Sequence, residues 1–352
     1  MTTASAPPWL RLRTPEDVLA AVPYLLGFHP SDSLVVLGLA GKRLRFHVRG
    51  DLAPEGAARD LLDGLADYYA DVFEAHRIGA VLLVGFGDGR RVTPLISAVQ
   101  QAMRRRRIEV RDMLRANDGR FWSYLCDAPE CCPPEGKSYE IVGSAVAAAA
   151  TVAGCVALPD RGAVVRSLAP PVGFALAAME QATDRAELRM LDLLRRKDVL
   201  SAARTAGDEI ISAAYARYAT DGRLDDDEVA WLSLLLHLVS VRDIAWRRID
   251  SDGQDGREVH ERLWTDVIRR CEPGLVAPPA MLLSYTMWRS GDGLRARIAV
   301  ERALDADPDY SAAKLMADVL DRAVPPSALD RLRRRERQRR QGRARVRRRR
   351  GS

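Results

Sequence analysis

Three cysteines fall within seven positions, Cys126, Cys131 and Cys132, inside the segment from Phe121 to Gly136. Thiolates bind zinc tightly, and structural zinc sites take four ligands in a tetrahedron. The spacing here is C-x4-C-C, with no second C-x2-C pair and no adjacent histidine. A fourth ligand would have to come from Cys155, His29 or His47 through folding. Neighbouring cysteines also rarely both reach one ion without backbone strain. Redox chemistry is a second option, although the C-x-x-C spacing that depresses a thiol pKa is absent. The favoured expectation is a proline-stiffened loop with packed, inert thiols, and zinc is the main alternative.

Two further groups carry residue types suited to chemistry. His29, Ser31, Asp32 and Ser33 place an imidazole, two hydroxyls and a carboxylate in one turn. No G-x-S-x-G elbow accompanies them, so Ser31 and Asp32 are expected to bond the turn's own backbone. Gly85, Gly87 and Asp88 follow an apolar strand and precede a helix, where α/β sheets commonly bind ligands. This is neither a dinucleotide fingerprint nor a P-loop, and Asp88 would repel a phosphate. His29, Asp32 and Asp88 are therefore the catalytic candidates. Gly85, Gly87, Trp122 and Tyr124 are the ligand-binding ones, the two aromatics being able to stack a planar group.

Charge is unevenly spread. Residues 331–350 hold thirteen arginines against one glutamate, a net of +12, which leaves −6 on the remaining chain out of a total of +6. Arg343, Arg345, Arg347, Arg348, Arg349 and Arg350 are candidate contacts for nucleic acid or an anionic surface, non-specific and salt-dependent. Arginine outnumbers lysine 50 to 4, which reads as genomic base composition. The uncharged run Ile141 to Leu158 is mostly Ala, Gly, Ser and Thr and is expected to be a buried helix and short strand, not a membrane span. An odd set of five cysteines and a start without a signal sequence lead to a cytoplasmic expectation with reduced thiols.

The elements that must position these groups follow from periodicity. Thr14-Pro15-Glu16-Asp17 opens a helix to about Leu26. Ser33 to Leu39 and Arg43 to Arg49 form a hairpin, the second strand alternating Leu44, Phe46 and Val48 with polar residues. A helix is expected over Pro54 to His76, a strand over Ile78 to Val84, and a helix over Thr93 to Arg106. Strands at 108–116 and 120–124 flank Asn117-Asp118-Gly119, a hairpin turn. Such alternation gives an α/β domain with a mixed sheet over residues 1–170. From 171 to 326 only helical periodicity appears, at 171–205, 208–220, 225–249, 256–271, 278–290, 293–306 and 310–323. A basic tail, disordered or helical, occupies 327–352.

Two resemblances accompany these patterns. Phe121 to Gly136 and Tyr24-Leu-Leu-Gly-Phe-His-Pro-Ser-Asp-Ser-Leu-Val-Val36 resemble an uncharacterised actinobacterial family, domain of unknown function 4192, over nearly the whole chain. That resemblance implies no activity. Pro279 to Pro308 resembles one tetratricopeptide repeat, with Gly291, Ala296 and Ala303 at its small positions, although Ala280 stands where an aromatic is usual. A hairpin near 279–323 of this type presents a concave protein-binding surface. A ligand- or protein-binding scaffold is thus preferred over an enzyme; the competing reading is a metal-assisted hydrolase or nucleotide-handling enzyme at the strand ends.

Overall fold

A computed structural model describes residues 12–334, apart from Lys42, Pro171 and Arg333. The chain divides into two compact units, residues 1–164 and 165–352. In the first, helix α1 (Pro15–Leu26) starts at a full capping box: Thr14 accepts the Asp17 N–H, and Asp17 returns the bond to the Thr14 N–H. Such a pair satisfies two otherwise orphaned donors. The helix buries Leu19, Val22 and Leu26 and stops at Gly27, whose φ of 78° is left-handed.

The sheet follows from β1 (Ser33–Ala40), β2 (Arg43–Asp51), β3 (Ala80–Phe86), β4 (Glu109–Asn117), β5 (Arg120–Ser123) and β6 (Lys137–Ser138). Their order is β2-β1-β3-β4-β5-β6, and only β3 and β4 run parallel. That parallel pair requires a crossover, supplied by α3 (Gly89–Arg105). Helix α2 (Arg59–Ala75) packs beside α3. Both lie close on the sheet: an added Cβ at Gly38 would sit 2.7 Å from Phe73 of α2, and one at Gly85 would overlap Val92 of α3.

Several boundaries differ from the periodicity. The helix expected from Pro54 begins at Arg59, because Gly56 at φ 73° and the Ala57 N–H to Pro54 carbonyl bond form a turn first. The helix expected from Thr93 begins four residues earlier, since Asp88 caps it and Pro94 is absorbed inside. After the Ala-rich helix α4 (Ala145–Val152), the expected strand is one bridging residue, Leu158 beside Phe28. A helix not foreseen, α5 (Arg161–Ser167), comes next.

The second unit holds α6 (Phe174–Leu194), α7 (Val199–Ala219), α8 (Asp226–Leu235), α9 (Val239–Ser251), α10 (Arg257–Arg270), α11 (Ala277–Ser290), α12 (Gly293–Ala306) and α13 (Ser311–Asp321). The run expected as one helix over 225–249 is two, bent by 105°. Among the described residues no single helix is long and apolar enough to cross a membrane. Helix α11 is buried on every side from Ala277 to Trp288. Its polar groups are satisfied locally: Ser284 donates to the Ala296 carbonyl at 2.7 Å and Thr286 to the Leu282 carbonyl at 2.9 Å. Trp231, Trp264 and Trp288 are core residues.

His260 is wholly buried, 3.0 Å from Asp252 through Nε2, with its ring against Tyr215 at 4.4 Å. Burial holds its pKa below the ordinary 6.5; Arg248 acts in the same sense and Asp252 opposes both. The folded chain therefore binds this proton more weakly than the unfolded chain does. The neutral form's contribution is complete above about pH 6.5 and is lost as pH falls below it. Urea midpoints of the intact protein are expected to drop between about pH 7.5 and pH 5, and His260→Gln to flatten that drop. Parallel profiles for the two proteins would show that another group is responsible.

Candidate functional site

Register carries one row of side chains across the sheet. Leu34 pairs with Gly85, Gly85 with Arg115, and Arg115 with Trp122, so all four face α3. Val92 fills the space above Gly85, which brings the first turn of α3 close to the sheet. Arg115 consequently reaches Gly89 while its guanidinium stacks 3.7 Å from the Trp122 ring centroid. Tyr124, further along, shares a 2.7 Å hydrogen bond with Thr93 of α3. Burial pushes the Tyr124 phenol up.

The strand-end candidates are placed as follows. Asp88 accepts the Arg90 N–H at 2.8 Å and caps α3. Asp32, in a left-handed backbone at φ 44°, pairs with Arg91, which also donates to the carbonyls of Leu52 and Ala53. Gly87 lies beside Asp32, its hypothetical Cβ 3.4 Å from the carboxylate. His29 donates its backbone N–H to Leu158, next to the bridge at Phe28. Asp32 and Asp88 thus meet the same turn of α3, each engaged by it. Arg91 had no sequence signal: only folding shows which of the arginines there turns back to the β1 entrance.

Beyond β5 the thiol loop is fastened to Trp122. The indole Nε1 donates to the Pro134 carbonyl at 2.9 Å, and Arg120 donates to the Gly136 carbonyl at 2.8 Å. Gly136 has φ 80°, and a Cβ there would lie 2.5 Å from the indole. Within the loop, the Ala128 carbonyl accepts from the N–H groups of both Cys131, at 3.2 Å, and Cys132, at 2.8 Å. This helical turn sets the sulfurs of Cys131 and Cys132 beside that of Cys126 at the surface. Cys126 Sγ is 3.0 Å from Cys131 Sγ, Cys131 Sγ is 3.8 Å from Cys132 Sγ, and all three lie within 4.8 Å of one another.

Neither Cys131 nor Cys132 adopts a left-handed backbone, so the strain expected of adjacent ligands is not required. His29, His47 and Cys155 are outside the cluster. Hydrogen bonding from Cys131 and then from the Ala128 amide holds the Cys126 thiol below its usual range. Cys131 is raised, chiefly by its bond to Cys126, and Cys132 is pushed up to about 12 by Cys126 and by burial. All five cysteines are free. The candidate nucleic-acid contacts Arg343, Arg345, Arg347, Arg348, Arg349 and Arg350 lie outside the described residues.

An α/β unit with a mixed sheet and a surface thiol cluster, followed by a helical unit, defines the class of protein. A family model described as domain of unknown function (DUF4192) matches residues 15–327, and the chain belongs to that family. No curated protein and no solved structure matches it.

Gly136→Ala tests the fastening. Left-handed strain and overlap with Trp122 cost about 1–3 kcal/mol, and the loop is expected to lift away. Alkylation of Cys126, Cys131 and Cys132, followed by peptide mass, should accelerate. Unchanged rates would show that Trp122 does not hold the loop.

Proposed function

We propose that the protein acts by binding: its helical unit docks an apolar helix of a protein partner, in a reducing, cytoplasmic setting. The observation that carries this reading is a set of exposed leucines. Leu188, Leu191 and Leu194 of α6 are 64%, 52% and 53% exposed, and Leu200, across the turn into α7, is 74% exposed. The core stripe of α6 is Met179, Ala182, Thr183, Ala186 and Leu193. Leu188 stands nine residues after Met179, two and a half turns round, and so on the opposite face. Apolar side chains grouped on the outer face of a helix are a common mark of association. Beside Leu200, α7 and α9 leave an open groove of about 910 Å³, edged by Arg204, Asp208, Ile244 and Arg247.

Two other observations support binding over catalysis. Asp32 and Asp88, the carboxylates best placed to act as bases, are committed to Arg91 and to the cap of α3. The α11–α12 hairpin turns at Gly291 and buries Ala296 and Ala303 between its neighbours, the small-residue arrangement expected of a tetratricopeptide-like scaffold.

A photo-crosslinking side chain at position 191 is expected to give a discrete protein adduct in cell extract, absent when the same group is placed at exposed Gln101 of α3. Leu188→Glu should abolish that adduct, and stability should stay within about 0.5 kcal/mol because the site is exposed. An adduct that survives Leu188→Glu, or equal labelling from both positions, would sink the proposal. Sedimentation of the purified chain separates a second copy from a different partner.

A further inference from the structure

Cys126, Cys131 and Cys132 form the one group of three or more metal-ligating side chains that converges among the described residues. Their geometry is close to what a soft divalent ion needs. With zinc–sulfur bonds of about 2.3 Å, tetrahedral thiolates stand about 3.8 Å apart. The Cys131–Cys132 separation already has that value, 3.8 Å, whereas Cys126 and Cys131, at 3.0 Å, must part slightly. The turn at Ala128 lets adjacent cysteines serve one ion, and Pro133 and Pro134 lead straight into the Trp122 anchor. Three thiolates around a dication leave one negative charge. Lys137, which is paired to Glu16 at 2.5 Å, also interacts electrostatically with Cys131 and Cys132 and so faces that charge.

We infer that Cys126, Cys131 and Cys132 are a three-thiolate site for a single Zn²⁺ ion, with its fourth position open to water or an external ligand. The fourth position is open because no other His, Cys, Asp or Glu among the described residues joins the group. Sites with three protein ligands of this kind are the ones that exchange ligands or polarise a bound water. Binding is not a redox step: each thiol gives up its proton to solvent and its sulfur lone pair to the metal. Affinity consequently rises with pH. The inference is independent of the docking surface on α6, which lies in the other unit.

The experiment uses the full chain, reduced and stripped of metal. Zn²⁺ titrated against a chromophoric chelator should load one equivalent. Co²⁺ should give the intense thiolate-to-metal charge-transfer absorption of a sulfur-rich site. Cys126→Ser, Cys131→Ser and Cys132→Ser should each weaken binding by at least about tenfold, the loss that removing even an outer hydrogen-bond partner produces. Cys155→Ser should leave it unchanged. Zinc should also protect three of the five thiols from alkylation in the unmutated protein, a readout that needs no variant to fold. Three outcomes would overturn the assignment: no uptake by the reduced wild type, uptake unaffected by the three substitutions, or a Cys126–Cys131 disulfide whose reduction restores no metal binding.

Discussion

The arrangement of the α/β unit depends on the close approach of α3 to β3, which the missing side chain at Gly85 permits. Val92 occupies the space that a Cβ would take. A helix held at that distance brings its first turn to the carboxyl end of the parallel pair, where Asp88 caps it and Arg91 reaches Asp32. The same closeness sets Arg115 between Gly89 and the Trp122 ring. Trp122 in turn fixes Pro134 and leaves room only for glycine at 136. One contact between sheet and helix therefore propagates along a single row of residues to the thiol loop. Gly38 under Phe73 does the equivalent for α2, but no candidate group hangs from it.

Legibility in the sequence tracked how local the determining interaction is. Helix α1 could be read to the residue because Thr14, Pro15 and Asp17 form its cap within one turn. The β4–β5 hairpin was equally plain from Asn117-Asp118-Gly119. The break between α6 and α7 was missed although Asp198 caps Ser201 at 3.2 Å, since the charged stretch before it continues the helical pattern. The bend between α8 and α9 carries no Gly or Pro; after Leu236, His237 and Leu238 make it by donating to carbonyls three residues back, Leu234 and Leu235, instead of four. For the thiols, spacing showed three potential ligands. Spacing alone could not show the turn at Ala128 that lets adjacent sulfurs face the same way.

Arginine shows a different limit of composition. The chain has 50 arginines against 4 lysines, and individual placements depend on guanidinium geometry. Arg91 bonds one carboxylate and two backbone carbonyls. Arg270 holds the Leu224 carbonyl, Asp226 and Asp266 at once. Arg289 joins Asp250 and Asp330 almost out of solvent, while Tyr285 donates to Asp250 at 2.8 Å. A planar fork of five fixed donors suits such multiple contacts better than an ammonium with three. Removing one partner of so buried a pair strands the other charge, at about 3–5 kcal/mol. A count of arginines therefore says little about which of them hold the fold; their contacts do.

The thiol loop stands outside the core of the α/β unit, and that separation has a chemical consequence. The sheet is closed by α2 and α3 through Phe73, Val92 and Ile96 without any contribution from the cysteines. Zinc-dependent mini-domains differ, because there the metal supplies the folding energy and its loss unfolds the chain. Here two prolines, the Ala128 turn and the Trp122 anchor hold the loop through contacts of its own chain. Ordering a loop already held by its own chain costs an ion less chain entropy. Loss of such an ion would leave the packing of Phe73, Val92 and Ile96 in place. Chemistry at an exposed loop outside the sheet's packing can therefore change state while the sheet stays as it is, which a site built into that core could not do.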